Sequence, residues 1–133
     1  MMTLSFEVPL YRCNVKLLQI ESDKDIVQLE KICKKNHLPT KGELYESIRE
    51  NVLSYSVDGG ETLSCFERHQ FLVVLYPFTN KEERNVVYAH EKRHIEDKIL
   101  KWAGVQDNEA AAYLAGWLGG KFDKLKELCE KQC

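Results

Sequence analysis

No apolar run in this 133-residue chain is long enough to span a bilayer. The longest, "FLVVLY" from Phe71 to Tyr76, falls far short of the roughly 20 residues a spanning helix needs. The start, "MMTLSFEVPLYR", lacks the charged head and long apolar stretch of a secretory leader, so the expected location is the cytoplasm, away from membranes. No basic cluster interleaved with aromatics occurs. With 19 Lys and Arg against 21 Asp and Glu, the net charge is -2, and nucleic acid is not an expected partner. There is no C-x-x-C pair either. The cysteines, Cys13, Cys33, Cys65, Cys129 and Cys133, are scattered singly, and an odd number without a leader favours reduced thiols over a disulfide framework. Internal repeats, low-complexity segments and linkers are also missing. What is present is 44% hydrophobic and 30% charged, the balance of an ordinary globular protein, and the length predicts a single domain over residues 1–133. The oligomeric state is not legible in the pattern.

In "YRCNVKL", Tyr11, Cys13, Val15 and Leu17 alternate with polar residues, which predicts a strand from Tyr11 to Ile20. Ser22 with Asp25 then caps a helix from about Asp23 to Lys35, whose apolar face carries Ile26, Leu29 and Cys33. "LYESIREN" predicts a further short helix. "VLSYSVDGGETLSCFE" reads as two strands about an Asp58-Gly59-Gly60 turn, and "HQFLVVLYPF" as a continuous apolar strand ended by Pro77. Beyond it, Thr79 with Glu82 or Asn80 with Glu83 opens a long helix that Gly104 closes. A last helix begins at Asp107 or Asn108 and is expected to weaken or break at Gly119-Gly120. The expected class is α+β: a small, mainly antiparallel sheet with an N-terminal helix and two C-terminal helices.

Inside the first of those C-terminal helices stands "VVYAHEKRHIED", with His90 and His94 four residues apart and Glu91 directly after the first, an H-E-x-x-H arrangement. At about 100° per residue, Tyr88, Ile95, Ile99 and Trp102 form an apolar stripe, and the histidines point roughly 130° from its centre. They therefore flank the core, and Glu91 projects between the two faces. Zinc is held by neutral imidazoles converging from one side, and a catalytic site adds a third protein ligand and a position for water. Glu109, in the first turn of the next helix, is the candidate third ligand. Ala112, Gly116 and Gly120 share its face and are expected to let the helices approach closely, with Tyr113 pointing the same way. The alternative is a solvated charged face, with Glu109 only a favourable first-turn carboxylate on the helix dipole.

"HEKRH" followed by "NEAAAY" resembles the gluzincin metallopeptidases, and the whole layout resembles small zincin-like proteins of phages and mobile elements. The likeness is specific from about Val86 to Leu118 and coarse before it. It implies a minimal zincin-like domain, His90, His94 and Glu109 as zinc ligands, Glu91 as general base, and a zinc-dependent peptidase acting on a peptide or protein. Two departures accompany it. Lys92 and Arg93 occupy inner positions that are uncharged in most such peptidases, which makes this side of the helix wetter than usual. Tyr113 stands where an acidic residue orients a histidine in thermolysin-like enzymes, which leaves Tyr113 or Asp97 to orient the ligands.

The expected chemistry is peptide hydrolysis, with Tyr113, Tyr88 or His69 stabilising the oxyanion and the strand Phe71 to Tyr76, or the one before it, pairing with an extended substrate. The rival is a zincin-shaped module that binds another protein without turnover.

Overall fold

The alternation of apolar and polar residues begins earlier than expected, at Met2. In the computed structural model, which describes residues 1–131, Met2, Leu4, Phe6 and Val8 face inward and Thr3, Ser5 and Glu7 outward along strand β1 (Met2–Val8). Residues 9–12 turn the chain, with Leu10 and Arg12 in the left-handed region, into β2 (Cys13–Gln19), antiparallel to β1. Cys133 lies outside the described residues; Cys13, Cys33, Cys65 and Cys129 are free thiols.

A Ser22–Asp25 capping box starts a short 3-10 turn that runs into α1 (Ile26–Lys35), as the sequence predicts. The short helix expected near "LYESIREN" is α2 (Glu43–Leu53). It absorbs Val52 and Leu53, the start of the segment read as a strand, because Val52 continues the buried stripe of Tyr45 and Ile48 at helical spacing. Asp58-Gly59-Gly60 is correspondingly not a hairpin turn. Asp58, with φ of 59°, turns its carboxylate to Thr79, whose N–H and hydroxyl donate at 2.8 and 2.9 Å.

Only at Gly60 does the chain become extended, as β3 (Gly60–Cys65), which pairs antiparallel with β4 (Gln70–Leu75). The sheet order is β1-β2-β4-β3, and β2 pairs with β4 in parallel. Two of the three pairings are antiparallel, as expected; the parallel one is not foreseen by the pattern. Burial on both faces explains why β4 reads as an unbroken apolar run. Phe71, Val73 and Leu75 pack into one core with the C-terminal helices, while Leu72 and Val74 pack into a second with Leu29, Cys33, Tyr45, Ile48 and Val52 of α1 and α2.

The C-terminal helices are α3 (Lys81–Ala103) and α4 (Asn108–Glu130). Of the two predicted caps, Asn80 is the one used, its side chain accepting from the Glu83 N–H at 2.9 Å, and Gly104 ends α3 at φ 71°. Helix α4 passes through Gly119-Gly120 without a break, contrary to expectation. Each glycine costs about 1 kcal/mol in a helix interior. Leu114, Leu118, Phe122 and Leu125 form a buried stripe on both sides of the pair, and each such side chain contributes about 1.5–3 kcal/mol on burial, which decides the matter. Among the described residues, no helix is long and apolar enough to cross a membrane.

Candidate metal centre

Of the sequence-predicted site residues, His90, Glu91 and His94 come together on the flank of α3 that faces β3. The Nε2 atoms of His90 and His94 lie 3.0 Å apart, with the rings edge to face and their centroids 4.5 Å apart. One ligand atom from each of His90, Glu91 and His94 lies within 4.8 Å of the others. Both histidines are exposed, so water reaches them, whereas Glu91 is only 4% exposed. Two imidazole nitrogens at 3.0 Å must share a proton or a cation, since neither two lone pairs nor two N–H groups are stable at that distance. Both can also stand at the roughly 2.0–2.1 Å that zinc takes from histidine nitrogen, so the two imidazoles fit a zinc-type ion, one protein ligand short of the three a catalytic zinc site has unless Glu91 itself coordinates.

Gly60 makes room for Glu91. A Cβ at that position would lie 2.8 Å from Glu91 Cγ and 2.9 Å from the Val74 carbonyl oxygen, so any side chain there would push Glu91 off the first residue of β3. Burial raises the pKa of the Glu91 carboxyl; His94 and His90 pull it back, Glu61 adds to the rise and Lys98 opposes it. A groove of about 340 Å³ runs past these groups, walled by Gly60, Glu61 and Thr62 of β3, by Leu44 of α2, and by His90, Glu91, His94 and Lys98 of α3. A larger, more open depression of about 560 Å³ lies at Lys35, His37 and Arg68, but none of the clustered donors lines it.

Glu109 and Tyr113 are not brought to this groove. Both are exposed on α4, Tyr113 at 58%, and the Glu109 N–H donates to Asp107 Oδ1 at the helix cap. The register between the helices explains this. Arg84 pairs with Glu130, the Tyr88 ring packs against Phe122, and Lys92 Nζ donates to the Ala115 carbonyl, so α3 and α4 run antiparallel. Six residues before Ala115, Glu109 then stands level with about residue 98, roughly 6 Å along the axis past His94 and on the flank away from β3. The small-residue face expected to bring the helices close is turned outward: Ala112, Gly116 and Gly120 are exposed, and a Cβ added at either glycine would meet nothing within 4 Å. It is the leucine stripe that packs.

The remaining candidates also lie elsewhere. Tyr88 is buried and donates its hydroxyl to Gln19 Oε1 at 2.6 Å. The His69 ring packs tilted against Trp102 with ring centroids 4.5 Å apart, and Asp97 pairs with Arg93 at 3.5 Å. Lys92 and Arg93, the charges inside the motif, do not line the groove: both pair with the buried Glu96. Sequence reasoning missed Gly60, Glu61, Thr62 and Lys98. Lys98 was within reach of helix arithmetic, four residues past His94, whereas Gly60 was hidden in a run that reads as a turn.

No family model, curated protein or solved structure matches the chain.

Proposed function

We propose that this chain is a zinc-dependent hydrolase of peptide bonds whose centre is His90, Glu91 and His94 in the groove beside β3. The observation that carries the reading is the convergence of two solvent-facing imidazoles on one buried carboxylate. Zinc bound there would supply a Lewis acid that polarises a carbonyl and makes water more acidic. His90 and His94 would hold the ion as neutral imidazoles through Nε2, the atoms that already face each other. Glu91 would take a proton from the attacking water onto its carboxylate and deliver it to the leaving amine nitrogen. Burial suits it to that work, since a carboxylate with raised proton affinity is a stronger base than one in water. Among the described residues β3 is an edge strand and β4 an interior one, so the backbone available to an extended peptide is Gly60–Cys65 and not Phe71 to Tyr76.

Elemental analysis should find about one zinc per chain, and His94→Ala should lower zinc affinity by about 100-fold or more while Glu109→Ala leaves it unchanged. Zinc-loaded protein that cleaves nothing in a broad peptide library, or protein that takes up no zinc, would overturn the proposal. A second reading, a module that binds a peptide without turning it over, is favoured by the distance of Glu109 from the histidines. It predicts peptide binding without cleavage at full zinc loading.

A further inference from the structure

The wall of the groove carries two hydrogen-bond donors that the fold does not use. Lys98 is half-buried and, among the described residues, makes no hydrogen bond or ion pair; the charge it feels is that of Glu91. Thr62 is 7% exposed, and its hydroxyl is buried without a partner. Both line the groove beside Glu91 and His94. A buried hydroxyl left unpaired is costly, and so is a half-buried ammonium that feels the Glu91 carboxylate only at a distance and bonds to nothing directly. The other basic side chains of this helix segment are handled differently: Lys92 and Arg93 are paired with Glu96. Glu61, the remaining carboxylate on the wall, accepts from Ser47, Asn51 and Tyr76 at its Oε1 and makes no ion pair with Lys98.

We infer that the groove accepts a carboxylate of its peptide ligand between the Lys98 ammonium and the Thr62 hydroxyl. This rests on the reading of the groove as a substrate site and narrows the substrate class. Lys98 stands one helical turn past His94, about 6 Å along the axis, which is the reach of about two residues in an extended peptide. A carboxylate about two residues from the bond at the histidines would complete both donors. An acidic side chain and a free C-terminus offer the same chemistry.

Two pairs of short probes separate these sources: acetyl-Ala-Ala-Ala-Glu-Ala-amide against its Gln twin, and acetyl-tetra-alanine with a free carboxylate against its amide. Binding is read from amide shifts of Gly60 to Thr62 in the metal-free protein, so the result does not depend on turnover. At least one charged probe should bind about fivefold tighter than its twin. Lys98→Met should erase that preference, Lys98→Arg and the exposed Lys101→Met should keep it, and Thr62→Val should reduce it without lowering the melting temperature. Equal binding within both pairs, no binding of any probe, or a preference that survives Lys98→Met overturns the inference. A carboxylate preference in protein that cleaves no peptide would leave this inference standing and remove the hydrolase reading, so the two failures are distinct.

Discussion

The two flanks of α3 use charge in opposite ways. Towards α4, charges are paired: Arg84 with Glu130, and Lys92 and Arg93 with Glu96, all around a packed stripe of Tyr88, Ile95 and Ile99. Towards β3, Glu91 and Lys98 have no ion-pair partner among the described residues, and His90 and His94 turn their nitrogens on each other. Both flanks belong to one helix with one set of caps, so the difference is not one of local structure. The flank that holds the fold pairs its charges, even though Arg84 Nε stays buried without a partner, whereas the other leaves charged groups without direct partners at some cost in stability, as binding sites do.

Substitutions can break this contrast from either side. The largest expected effect is Glu91→Gln, which should lower peptide cleavage by about 10²-fold or more while the fold and bound zinc persist, as read by mass spectrometry at equal zinc loading. On the other flank, Ile99→Ala should cost about 2–5 kcal/mol in denaturant unfolding and leave zinc affinity unchanged. Glu96→Ala removes the buried carboxylate that Lys92 and Arg93 share, leaving them the Ala115 carbonyl and Asp97, and should cost about 1–3 kcal/mol, again without effect on zinc. Smaller still is the stability change in Glu91→Gln without metal. The folded pKa of Glu91 is raised, so its favourable contribution is complete below the ordinary value of 4.5 and is lost as pH rises through the folded pKa. The Gln variant should therefore equal wild type near pH 4 and be the more stable by pH 7. The smallest effect concerns α4: Gly120→Ala, into open space, should stabilise by about 0.5–1 kcal/mol in the same assay.

The features legible in the sequence are those fixed by neighbours along the chain. The Asn80 and Asp107 caps, the Gly104 stop, and the histidine pair at i and i+4 all depend on contacts within a turn or two, and all are found. The features that failed depend on distant partners. "VLSYSV" carries β-branched and aromatic residues, but whether Val52 ends a helix or begins a strand is decided by the core it meets with Tyr45 and Ile48. The parallel pairing of β2 with β4 leaves no local mark. Glu109 failed for a similar reason. Small residues on a helix look alike whether they face a neighbour or open space, and only the leucine stripe, which was also visible, tells which face packs. β1 is the reverse case: its period of two, from Met2 to Val8, is written in the sequence itself.

That parallel pairing also constrains how the chain can assemble. Gln19 and Leu75, partners across it, are 56 residues apart, and α1, α2 and β3 all lie between them in the sequence. The β1–β2 hairpin has no third strand until β4 has been made, and β4, already next to β3 in the sequence, must then close onto β2. Closing a loop of that length precedes the contacts that reward it, so the rate of folding should be governed by β4 docking and not by helix formation. On a ribosome, the hairpin would emerge early and wait with one edge bare until residues 70–75 arrive.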